Sequence, residues 1–405
     1  MIRKSYFFPT FLLLLFIYSC GGGGPKVVDQ KPQAGEETVA GITGKEGEMP
    51  YAQPTVRILL NQKFGSIGIL NSSSGSEVQV KVIGSMLELS RKQGSQWVVL
   101  DNQTGFRLYP EKGRLLCLDR RYYRGVIDVF VNPLGVPVAV NEVGLEDYLK
   151  SVVPNEMGPN SYPQLEALKS QAVAARSFAV RELDRNAVHG FDMYGDSRAQ
   201  NYRGAGSEHA LSDRAVAETS GIVAVYQGKP ILAMYSSTCG GKTEAYDSIF
   251  KGPPIPYLTG GASCDDSASP YHRWSETIQT ADIQQKLDAY AGIGRLKNLE
   301  TIRKSAAGRT ITMRFTGETG EKVLEGNDLR FALGLRSNHI DSISLTRGQD
   351  GFVSSIAVSG RGWGHGVGLC QTGAVAMAGK GKKYDEILHH YYNDIKLVKW
   401  DGSTR

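Results

Sequence analysis

Residues 163–183, "PQLEALKSQAVAARSFAVREL", constrain the fold more than any other stretch of the chain. Pro163 suits a first helical turn, where its missing N–H costs nothing, and no Gly or Pro follows it in the segment. Leu165, Leu168, Ala172, Ala175 and Ala179 recur at helical spacing and form a narrow face of small side chains. Such a face lets another backbone approach closely, so the helix belongs in a core. Gln171 and Arg176 are the polar exceptions beside it, placed to reach a carboxylate on the turn that precedes the helix or a ligand bound to that carboxylate.

The chain before this helix has a different texture. From Pro54 to about Val140 the runs "TVRILL", "SIGIL", "VQVKVI", "WVVL", "GVIDVFV" and "VPVAV" are short, β-branched and bounded by Gly, Asn, Asp or Ser. They predict an antiparallel sheet or small barrel over residues 53–138. From "LEDYLKSVV" onward helical spacing takes over, with Leu145, Tyr148, Leu149 and Val152 on one face. After the long helix, "GIVAVYQGKPILAMYSS" predicts a hairpin turning at Gly228, and further strands and helices run to residue 400. The expected class is α+β: a β-rich N-terminal domain, then a mixed domain over residues 139–400 containing the long helix.

The first twenty residues set the compartment. Arg3 and Lys4 precede the apolar run "FFPTFLLLLFIY", too short to favour a spanning helix, and Ser19 stands before Cys20. This predicts a lipoprotein export signal, with Cys20 the lipidated first residue of a chain held at the bacterial cell envelope by its lipid alone. Residues 21–52 are rich in Gly, Pro and charge and read as a flexible tether. The formal net charge of +5 includes Arg3 and Lys4 of the leader and does not argue for nucleic acid. Cys117, Cys239, Cys264 and Cys370 remain, and four cysteines allow three pairings. Cys239 and Cys264 are near in sequence and set among Gly and Ser, which makes a disulfide between them the expected use. Neither has a Cys or His partner at zinc-ligand spacing, so no metal and no cofactor is expected.

Two stretches carry candidate chemistry. "SVVPNEMGPN" sets one acid, Glu156, between an apolar run and a proline-broken turn. "GRGWGHGVG" has glycine at 360, 362, 364, 366 and 368 with no phosphate-loop lysine after it. Read as extended chain, the alternation strips one face and collects Arg361, Trp363, His365 and Val367 on the other. An indole there would stack on a sugar ring and the imidazole would hydrogen-bond it.

Three blocks in order, "LEDYLKSVVPNEM…YPQLEALKSQAVAARSFAV", "YSSTCGGKTE…YL" and "GRGWGHGVGLCQTGAVAMAGKGKKYDEILHHYYNDIKL", resemble the SpoIID/LytB family of stage II sporulation protein D and amidase enhancers. The similarity covers roughly residues 140–400, with weaker "RGVIDVFVN" strands before it. The resemblance implies a domain acting on peptidoglycan glycan strands. Its sporulation members are lytic transglycosylases whose essential acid, the Glu of the "EM" pair, carries onto Glu156; a partly buried carboxyl is a fitting proton donor. Gln171, Arg176, Tyr235, Trp363, His365 and Gln371 are the residues of these blocks expected to contact substrate. The alternative is a glycan-binding enhancer of an N-acetylmuramoyl-L-alanine amidase, in which Glu156 is an acceptor or structural acid. Some sporulation members carry His and Cys metal ligands just before a "CQ" pair. Here that segment reads "FDMYGDSRAQNYRG", with Ala199 at the Cys position, so that zinc site is expected to be missing.

Overall fold

The structure, a computed structural model, describes residues 54–71, 77–110, 114–400 and 402. The expected leader, the tether and Cys20 lie outside the described residues. From Pro54 the chain first builds two antiparallel sheets. One runs in spatial order Gln96–Gln103, Met86–Gln93, Glu77–Ile83, Ser66–Asn71, Leu116–Leu118, Arg121–Tyr123. The other places Thr55–Gln62, Pro137–Gly144, Val126–Val131 and Gly105–Leu108 side by side, with the short strand Met193–Tyr194 joining Thr55–Gln62 in parallel. Alternation does what it should: Val78 and Val80 point inward from one strand, and Leu87 and Leu89 from its neighbour.

Eight α-helices follow among the described residues: α1 (Leu145–Glu156), α2 (Leu165–Glu182), α3 (Ala210–Glu218), α4 (Tyr246–Ile249), α5 (Thr280–Tyr290), α6 (Gly326–Leu333), α7 (Gln371–Gly379) and α8 (Tyr384–Tyr391). The α+β class holds. The long helix α2 packs against α1, α3, α7, α8 and the strand Ile222–Tyr226. Its alanines Ala167, Ala172, Ala174, Ala175 and Ala179 are all fully buried, and Val173, Ser177 and Val180 are buried on the other sides, so burial runs round nearly the whole helix rather than along one face.

The expected boundary at 138/139 falls inside the strand Pro137–Gly144, which pairs with Thr55–Gln62 on one side and Val126–Val131 on the other, then runs directly into α1. One continuous core joins Ile69 and Leu118 of the sheets to Tyr148, Leu149 and Val152 of α1 and Ala172 of α2. A break in sequence texture is not a break in packing here. The real second core lies elsewhere: residues 274–358 fold two three-stranded sheets with α5 and α6 around Leu287, Met313, Phe315, Leu329 and Ile356. The sequence reading merged this insertion with the domain around it. No helix among the described residues is long and apolar enough to cross a membrane.

Candidate active site

Glu156 is the last residue of α1 rather than part of a turn, with Pro154 inside the helix and the Met157 N–H returning to the Val153 carbonyl. A carboxylate at a helix C-terminus faces the negative end of the macrodipole. Burial holds the Glu156 carboxyl above the ordinary carboxylate range, against the hydrogen bonds of Asn201 and the charge of Arg203 that favour ionisation. Oε1 accepts the Asn201 backbone N–H at 2.8 Å and the Asn201 Nδ2 at 3.1 Å. Oε2 accepts no hydrogen bond from a described residue.

The segment carrying Asn201 is tied down on both sides of it. Tyr148 of α1 donates its hydroxyl to Gln200 Oε1 at 3.0 Å, and Gln200 Nε2 donates to the Tyr235 hydroxyl at 2.9 Å and to the Ala175 carbonyl of α2 at 3.3 Å. Tyr202 donates to Asn141 Oδ1 at 2.6 Å, and the Arg203 N–H donates to Ser151 Oγ at 3.0 Å. Burial, with Glu156 next, raises the pKa of both Tyr148 and Tyr235 well above the phenol value, so these hydroxyls stay neutral beside the acid. Tyr235 thus belongs to the site, reached through Gln200. Sequence reasoning missed Tyr148, Gln200 and Asn201; "AQNY" was read only for the metal ligand it lacks.

Gln171 and Gln371 also meet, Gln371 Nε2 donating to Gln171 Oε1 at 3.1 Å in a buried contact between α2 and the first residue of α7. Gln171 Nε2 is buried and has no partner among the described residues. Arg176 corrects the expectation that it reaches Glu156. Its guanidinium is fully buried and grips Glu146 through Nε at 2.8 Å and Nη2 at 2.6 Å, with Nη1 on the Ile222 carbonyl at 3.1 Å. Glu146 lies at the opposite end of α1 from Glu156, so Arg176 faces a structural partner.

The glycine-alternate stretch is not extended chain. Gly362, Gly364, Gly366 and Gly368 all have positive φ, which turns the backbone at every second residue. The expected shared face is therefore not formed: Val367 is fully buried, Arg361 pairs with Asp341 at 2.7 Å, and Trp363 is 38% exposed. The glycines are required by close approach. A Cβ on Gly368 would stand 2.0 Å from the Met234 carbonyl oxygen, and one on Gly366 would stand 2.1 Å from Arg309 Nη2.

Trp363 presents its indole with Tyr271 edge-on at 4.2 Å between ring centroids and the Arg336 guanidinium 5.8 Å from its ring. Burial first, then Tyr271 and Cys370, raises the pKa of Tyr162, which lies on the loop that follows Glu156. His365 is pushed down to about 3 by burial and then by Arg309 and Arg330, so it is neutral at physiological pH. Its Nδ1 accepts the Val367 N–H at 3.0 Å, and its ring meets the Phe250 ring edge-on. Cys239 and Cys264 are bonded to each other. Buried Cys370 stands beside them, with all three sulfurs within 4.8 Å of one another, a convergence that the separation of "CGG" from "LCQ" in sequence conceals.

Comparison with known proteins covers the same elements. Residues 136–226 match the family described as stage II sporulation protein, and residues 247–368 match a domain of unknown function (DUF8618). An uncharacterised protein of Brachyspira hyodysenteriae is 32% identical over 75% of this chain and 77% of its own length. Stage II sporulation protein D of Bacillus subtilis is 32% identical over 69% of this chain and 83% of its own. The amidase enhancer of the same organism is 29% identical over 62% of this chain and 40% of its own.

Proposed function

The chain belongs to the stage II sporulation protein D family, and on that premise we propose that it acts on the bacterial cell wall as a lytic transglycosylase of peptidoglycan glycan strands, with Glu156 as its acid and base. One observation carries the reading: a half-buried carboxyl, held above its usual pKa, with one oxygen fixed twice by Asn201 and the other free for a ligand. In the first step Glu156 donates its proton to the glycosidic oxygen as the bond to the muramyl C1 breaks. The resulting carboxylate then takes the proton of a muramyl hydroxyl, whose oxygen attacks C1 of the same residue and closes an anhydro ring. The proton returns to Glu156 and no water is consumed. A hydrolase of the two-carboxylate type needs a second acid about 5–9.5 Å away, whereas this route needs Glu156 alone. Trp363, half exposed, is the platform on which a sugar ring stacks.

The amidase-enhancer relative supports a second reading, in which the same face binds glycan and does no chemistry. Mass spectrometry of the soluble products from intact sacculi, and from sacculi whose peptides an amidase has removed, separates the two. Anhydro-muramyl ends are expected, more from stripped strands than from intact ones, and Glu156→Gln should release them at least about 100-fold more slowly. No glycan products from either substrate, with faster peptide release when an amidase is added, would establish the enhancer reading. Reducing ends would mean hydrolysis.

A further inference from the structure

Three loops far apart in sequence bring soft donors to one buried point. Cys239 follows the strand Tyr235–Ser236, Cys264 lies on the loop after α4, and Cys370 caps the N-terminus of α7. Their sulfurs lie within 4.8 Å of one another, and all three residues are buried. Tetrahedral zinc with Zn–S bonds of about 2.3 Å spaces its sulfurs about 3.8 Å apart, so small shifts reach that geometry once the Cys239–Cys264 bond is open. The Cα atoms of that pair are 7.0 Å apart, at the outer limit of what a disulfide spans, which leaves width for an ion between them.

Backbone donors and one buried carboxylate converge on these sulfurs. Cys370 Sγ accepts two backbone N–H groups, from Cys239 at 3.2 Å and from Gly373 at 3.4 Å. Asp266, fully buried, places Oδ2 3.4 Å from Cys239 Sγ and 3.9 Å from Cys370 Sγ. That oxygen is oriented by the Gly240 N–H at 2.7 Å and the Gly241 N–H at 3.3 Å, while Oδ1 takes His272 Nδ1 at 2.6 Å. A carboxylate steered by a second layer of donors toward a set of sulfurs is how ligands of a metal are commonly held. The Arg309 guanidinium, on the Cys239 carbonyl at 2.7 Å, supplies positive charge nearby.

We propose that Cys239, Cys264 and Cys370, with Asp266 on the fourth side, form a structural zinc site in the reduced protein. A thiol or phosphine reductant supplies two electrons to the Cys239–Cys264 bond and, with two protons from solvent, leaves two thiols. Zinc then displaces the three thiol protons to solvent. Oxidation and metal binding therefore exclude one another. The site shares no residue with the segment 191–204, where Ala199 stands in place of a cysteine. Its ligands would lock the loop carrying Cys239, the loop carrying Asp266 and the start of α7, whose first residue Gln371 holds Gln171.

The test uses the full chain, reduced by a phosphine without oxygen and then freed of reductant. Zinc ion, titrated against a chromophoric chelator, should bind at one equivalent, and cobalt(II) should give thiolate charge-transfer and tetrahedral bands. Cys370→Ser should weaken zinc by at least about 100-fold, since even outer-sphere losses cost 10–100-fold. In the unaltered protein, zinc should slow alkylation of Cys239, Cys264 and Cys370 but leave Cys117 unprotected, a readout independent of how any variant folds. Absence of zinc binding, binding unchanged in Cys370→Ser when that variant folds, no zinc protection of Cys370, or a Cys239–Cys264 bond that stays closed in the folded protein under reductant would each overturn the site.

Discussion

Glu156 is placed where ionisation is costly, and that placement has a consequence for stability. Burial raises its pKa in the folded chain above that of the unfolded chain. The folded state therefore favours the protonated acid, and the stability this gives is complete below the unfolded pKa and disappears as pH rises through the folded one. A glutamine keeps the shape and an acceptor for Asn201 but never ionises. Glu156→Gln should accordingly melt at a higher temperature than the unaltered protein at neutral pH, with the difference shrinking as pH falls below the carboxylate range. Thermal unfolding across a pH series checks this. A variant less stable at neutral pH would identify Glu156 as a structural carboxylate satisfied by Asn201, not an acid held in readiness.

At the scale of elements, α1 and α2 are joined through a buried ion pair at the end of α1 remote from Glu156. Arg176 of α2 holds both oxygens of Glu146, and Glu146 Oε1 also accepts the Gly221 N–H at 2.9 Å. Removing one member strands a buried charge, so Arg176→Ala should cost about 3–5 kcal/mol in denaturant unfolding. The apolar double variant Glu146→Leu, Arg176→Met should recover much of that loss, because no charge is then left unpaired. Turnover per folded molecule should remain within a few-fold, as the pair does not touch Glu156; a variant that folds normally but loses turnover would return Arg176 to the active site. The sequence made α2 legible because its alanines report close packing directly, and made Glu156 legible through its motif. It could not show that Arg176 faces Glu146, since both Glu146 and Glu156 precede α2 and periodicity does not rank them. Asn201 was hidden for a related reason: a loop residue that bonds through its backbone N–H leaves little trace in residue type. The glycine stretch misled because alternation has two causes, an extended strand with one bare face or repeated positive φ, and only the neighbours Met234 and Arg309 distinguish them.

In the molecule as a whole, the insertion with its own core does not stand apart from the candidate site. Arg309, on the turn between Leu296–Lys304 and Thr310–Gly317, is fully buried, and its pKa is pushed down to about 10 by burial, which leaves it charged at neutral pH. It donates to the Cys239 carbonyl at 2.7 Å, the Gly364 carbonyl at 3.3 Å and Asn338 Oδ1 at 2.9 Å. Ser305 of the same turn donates to Glu244 Oε2, so one turn of the insertion grips both the loop of Cys239 and the segment carrying Trp363 and His365. Arg309→Ala would leave buried carbonyls without donors, at about 1–3 kcal/mol each, and would vacate the space that makes Gly366 obligatory. Backbone hydrogen exchange should then speed up across residues 236–244 and 360–368. The strands Leu296–Lys304 and Thr310–Gly317 should keep their protection, because Met313 and Phe315 hold a core in which Arg309 takes no part. If exchange rises equally through that core, Arg309 supports the insertion itself; if residues 360–368 do not change, the glycine segment is held by its other partners, Thr238, Met234, Tyr271 and Arg336 among them. The expected pattern makes the insertion the clamp that sets where Trp363 stands, and glycan turnover should fall in step with the loosened segment.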